Sequence, residues 1–133
     1  MSFVIARRGL LLALIGLGAG GLARAAAERD KPHLNSRALG EWLRAGGAGI
    51  LADPVALRRL GALYLDAHPA ERSRARLSQL LIGAELGTIP ARLRRAVARD
   101  WSGHHIAVVD GWLLARTEAR LCAALHLEAG GRA

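Results

Sequence analysis

The chain is poor in the residues on which small exported, metal-binding or catalytic domains usually depend. Cys122 is the one cysteine among 133 residues, so no internal disulfide can form and no cysteine cluster can hold zinc or iron and sulfur. Aromatic residues make up only 4%, which argues against the stacking surfaces of nucleic-acid readers. A single lysine stands against eighteen arginines, a bias that reflects a GC-rich coding sequence more than phosphate binding. No Cys-x-x-Cys-His awaits haem, no Gly-x-Gly-x-x-Gly follows a strand, and neither a Gly-x-Ser-x-Gly elbow nor a His-x-x-x-His pair occurs. No apolar run reaches the roughly 20 residues that a membrane-spanning helix needs.

What is present begins at the front. Arg7 and Arg8 stand directly before the apolar run from Gly9 to Leu22, and the small-residue stretch Ala23 to Ala27 follows. A positive start, a short apolar segment and an Ala-x-Ala cleavage site make residues 1–27 a signal peptide, and the paired arginines point to the twin-arginine route. Gly16, Gly18, Gly20 and Gly21 dilute the apolar run, and Arg24 adds a charge near the cleavage site, as suits that route. An ordinary secretion signal is the alternative. The remainder, residues 28–133, is long enough for one small domain. It is expected to be periplasmic or secreted, with no stable membrane span after cleavage and, lacking a cysteine near the cleavage site, no lipid anchor. Removal of Arg7, Arg8 and Arg24 lowers the formal charge from +8 to +5.

Apolar residues make up 52% of the chain, which fits an ordered core. Periodicity and punctuation predict a mainly α fold, a small bundle of about five helices with a short β-hairpin near 104–114. Ser36 is a candidate cap for a first helix to about Ala45. Asp53-Pro54 starts a second, to about Ala67, whose apolar face is so broad that it should be the most buried. A third starts between Pro69 and Ser73 and aligns Leu77, Leu80, Leu81 and Ala84. Thr88-Ile89-Pro90 opens a fourth, to about Trp101, with Leu93, Val97 and Trp101 on one side. Asp110-Gly111 is a favoured two-residue turn between His104–Val109 and Trp112–Leu114; a loop into one long helix from Asp110 is the alternative. Thr117 is a candidate cap for the last helix.

The stretch from Val109 to Cys122 is the richest in specific residue types. Gly111 suits a left-handed turn and Trp112 a core anchor, while Arg116, Glu118 and Arg120 beside Trp112 have the character of a contact surface for a partner. Arg92, Arg95 and Arg99 repeat along one side of the fourth helix, where they face either solvent or an acidic partner. Cys122, one turn from Leu125, suits a buried position; a bond to another chain is the alternative. His104 and His105 are the only histidine cluster, and on a strand they point to opposite faces, a poor arrangement for one metal. No catalytic, metal or cofactor site is predicted.

A twin-arginine leader, carried by Ala6 to Leu11, before a small helical domain resembles the small subunits of periplasmic sugar and alcohol dehydrogenase complexes. The resemblance implies a noncatalytic accessory subunit that folds with a larger, signal-less redox enzyme, binds no cofactor itself, and meets the twin-arginine translocase during export. Nucleic acid is not an expected partner. A free-standing periplasmic binding or stress protein, and a small metal-dependent enzyme using His104 or His105, are the competing readings.

Overall fold

Local capping chemistry sets most of the element boundaries. In the computed structural model, which describes residues 32–47, 53–83 and 87–131, the Asp53 carboxylate accepts from the Val55 and Ala56 amides at 3.0 and 3.1 Å. It thereby starts helix α2 (Pro54–Ala67), with proline in the first turn. Ser73 caps α3 (Arg74–Leu81) by accepting from the Arg76 amide, and Thr88 caps α4 (Ile89–Ser102) by accepting from the Ala91 amide. A 3-10 turn at Pro69–Glu71 separates α2 from α3. Leu77 and Leu81 of α3 are buried, whereas Leu80 is half-buried; Ala84 lies outside the described residues. Helix α1 (Pro32–Arg44) starts earlier than Ser36, which sits inside it; proline at the first position has a φ already suited to the helix and one fewer amide hydrogen to leave unpaired.

The predicted hairpin forms. Strands β1 (Ile106–Val109) and β2 (Trp112–Ala115) pair antiparallel, with Val109 opposite Trp112 and Ile106 opposite Ala115. Asp110 and Gly111 both take positive φ, +51° and +79°, the combination that matches the twist of a two-residue turn. Val109 and Leu114 are buried while Val108 is open, so the hairpin packs one face on the helices and leaves the other outward. That support is what a two-stranded ribbon needs.

The most buried element is α5 (Arg116–Glu128), not α2 as its pattern suggests. Nine of its residues are buried, including Ala119, Leu121, Cys122, Ala123, Leu125 and Leu127. Its small side chains allow neighbours to close in on several sides, and it touches α1, α2, α3, α4 and both strands. Gly61 of α2 shows how close: a Cβ there would fall 2.1 Å from the Cys122 carbonyl oxygen. The two backbones are nearly in contact. Helix α2 instead turns Val55 and Leu63 outward. The sheet, α5 and the surrounding helices share one core that includes Leu57, Tyr64, Leu77 and Leu93. Among the described residues no helix is long and apolar enough to cross a membrane.

Candidate partner-binding surface

The start of α5 is fixed by carboxylates from two places in the chain. Thr117 is not its cap: the helix begins at Arg116, and Thr117 is buried within the first turn. Ala115, at the cap position, has no side-chain acceptor, so the Glu118 carboxylate reaches back to the Ala115 amide at 2.8 Å and Asp100, at the end of α4, accepts from the Thr117 amide at 2.6 Å. Both place negative charge at the positive end of the helix. Glu118 is 7% exposed. Burial pushes its carboxyl up, the Asp100 charge adds to this, and the Ala115 amide opposes it. The side chain faces inward, where its carboxylate serves the fold.

A second cluster joins residues far apart in sequence. Arg120 donates two hydrogen bonds to Glu71, at 3.0 Å through Nε and 2.7 Å through Nη2, and the Tyr64 hydroxyl donates to the same carboxylate at 3.0 Å. Tyr64 is 1% exposed, and its ring stacks on His68 at 4.2 Å between centroids. Burial and the bond to Glu71 push the Tyr64 phenol up to about 12. Burial also acts to raise the Glu71 carboxyl, but the bonds from Arg120 and Tyr64 outweigh it and hold it below the ordinary carboxylate range. At neutral pH the phenol keeps its proton and the carboxylate its charge. The cluster therefore clamps α2, the 3-10 turn and α5 together instead of exchanging protons. Sequence spacing could not reveal it, since Glu71 and Arg120 are 49 positions apart.

Glu128, at the far end of α5, is held by Arg44 at 2.7 Å and Arg74 at 3.4 Å, and Arg74 also donates to the Leu127 carbonyl at 2.6 Å. The arginines offset a carboxylate that the helix dipole disfavours at this end. Clefts of about 260 and 330 Å³ flank this group. Cys122 is 3% exposed, and burial, with the nearby Glu118 charge, pushes its thiol up to about 12. A thiol in this state is a packing group, inert toward exchange.

The histidine pair lies before the strand, not on it. His104 occupies a turn at φ +57°, and His105 Nδ1 stands 3.7 Å from Asp100 Oδ1. Among the described residues no three His, Cys, Asp or Glu side chains are grouped to hold a metal ion.

The surface residues expected from sequence fall into distinct environments. Trp112 is half-buried, packed on the core from β2, and Arg116, past the other end of that strand at the start of α5, is exposed. Arg120 is spent on Glu71 and Glu118 on the α5 start. On α4, Arg95 and Arg99 are exposed and Arg92 is half-buried. Strand β2 contacts α4. Arg7 and Arg8 lie outside the described residues. No family model matches the chain, and no curated protein or solved structure is significantly similar to it.

Proposed function

We propose that the chain is an exported, noncatalytic accessory subunit that escorts a larger, signal-less redox enzyme across the membrane by the twin-arginine route and stays bound to it in the periplasm. The observation that carries this reading is the division of labour within residues 109–122. Its acidic and small residues, Glu118, Ala119 and Cys122, are turned inward to fix α5, while Arg116 is exposed and Trp112 half-buried. A rigid body that offers Trp and Arg outward has the character of a binding module. The charge pattern agrees, because Arg95, Arg99 and Arg116 suit an acidic companion. The leader with Arg7 and Arg8 supplies the reason for folding before export: a companion that must be gathered in the cytoplasm.

The test is purification of the natively expressed chain from periplasm under mild conditions. Stoichiometric recovery with a redox enzyme whose own gene encodes no signal peptide is the expected result. Recovery as a well-folded lone monomer would remove the accessory role.

A further inference from the structure

The end of α1, the first turns of α2 and the end of α5 converge on a cleft of about 260 Å³. Leu43, Pro54 and Leu125 give it an apolar lining, and Arg44, Arg58 and Glu128 line it as well. Leu43 and Leu125 belong to the core, so the apolar part of the wall is held in place. Charge is unbalanced here. Glu128 receives Arg44 Nη1 at 2.7 Å and Arg74 Nε at 3.4 Å, whereas Arg58 Nε donates to the Pro54 carbonyl at 3.0 Å, an uncharged acceptor. Three guanidinium groups against one carboxylate leave two positive charges in excess. Nearby carboxylates do not cancel them, because Glu41 is paired with Arg37 at 2.9 Å and Asp53 is turned to the α2 amides. The Glu128 side chain is only 12% exposed, and a Cβ on Gly40 would fall 3.0 Å from its Oε1. The α1 backbone thus closes over the carboxylate that positions Arg44.

We infer that this cleft binds a small organic acid, its carboxylate received by Arg44 and Arg58 and its apolar body laid against Leu43, Pro54 and Leu125. The inference does not depend on the accessory reading. Apolar walls with a few convergent polar groups are the usual make-up of a small-molecule site, and the volume lies just below the roughly 300–1,000 Å³ of sites for drug-sized ligands. The occupant is therefore small. A guanidinium carries five N–H donors in a planar fork that matches a carboxylate. Arg44 spends one nitrogen on Glu128 and Arg58 one on Pro54, and the Arg44 side chain is 58% exposed, so both keep donors to offer. Arg74 offsets the charge of Glu128, and an arriving anion meets a net attraction. An inorganic anion would leave the apolar wall unused, and a neutral hydrocarbon would leave the excess guanidinium charge unanswered. An acid with an apolar body uses both.

Calorimetric titration of the full chain with octanoate, octan-1-ol, acetate and inorganic phosphate tests both halves of the site. Octanoate should saturate a single site per chain and bind about tenfold or more tighter than each of the other three. Replacing Arg44 and Arg58 together by glutamine should weaken octanoate about tenfold and leave octan-1-ol unchanged. Ala129→Trp, which fills the cleft from an exposed position on its rim, should abolish octanoate binding with no change in Tm. The comparison of ligands needs no substitution, so the native chain decides the matter even where a variant fails to fold. Octan-1-ol binding as tightly as octanoate would overturn the inference by showing that charge plays no part. Phosphate or acetate binding as tightly would overturn it in favour of a plain anion site, and an absence of saturable octanoate binding would overturn it outright. None of these results bears on the accessory role, which co-purification decides.

Discussion

Glu118 is pulled in two directions, by a helix end that wants a carboxylate and by a core that disfavours its charge. Because its folded pKa is raised, its contribution to stability is fullest below the ordinary value of 4.5 and declines as pH rises through the raised value. Glutamine keeps an acceptor for the Ala115 amide without the buried charge. Glu118→Gln should therefore be at least as stable as the native protein at pH 7, and Glu118→Ala less stable by about 1–3 kcal/mol, both read from urea unfolding. Equal losses in the two variants would mean that the charge itself is needed. Cys122 and Tyr64 set the alkaline limit. Their ordinary values, 9.0 and 10.0, are both raised to about 12 in the fold, so the stability these two groups contribute is complete below about pH 9 and is lost as pH climbs toward 12. Cys122→Ala should move the onset of that decline up to about pH 10, where only the phenol remains, in unfolding curves taken at half-unit pH steps.

Among the elements, α2 and α5 depend on a missing side chain. Gly61→Ala drives a methyl group into the Cys122 carbonyl and should cost about 3 kcal/mol, visible as a lowered Tm. Gly111→Ala meets open space but keeps φ at +79°, and should cost only about 1 kcal/mol. The contrast separates interhelical contact from turn strain. It also marks what the sequence could tell. Asp53, Ser73 and Thr88 act on amides within three residues and Asp110-Gly111 turn through their own positive φ, so the starts of α2, α3 and α4 and the hairpin turn were legible as local patterns. The start of α5 was not, because Asp100 caps it from 17 positions away and Thr117 looked the better local cap. The clamp of Tyr64, Glu71 and Arg120, and the grip of Arg44 and Arg74 on Glu128, join elements whose packing no periodicity encodes. Apolar width alone likewise misjudged α2: Val55 and Leu63 count toward a buried face by type, yet α5 takes the centre through its alanines.

For the whole molecule, the clamp of Tyr64, Glu71 and Arg120 and a central helix anchored at both ends describe a body that is rigid before it meets anything. The side chains legible as partner contacts divide accordingly. Trp112 and Arg116 remain candidates at the surface, while Glu118 and Arg120 have internal duties that only the three-dimensional arrangement reveals. Replacing Arg7 and Arg8 with lysines should hold the chain, together with its companion, in the cytoplasm, as cell fractionation would show; undisturbed export would assign the leader to general secretion. The most direct measurement is the native mass and composition of the chain isolated from periplasm. The account predicts a stoichiometric complex with a larger redox enzyme that has no signal of its own, and a folded, solitary monomer would contradict it.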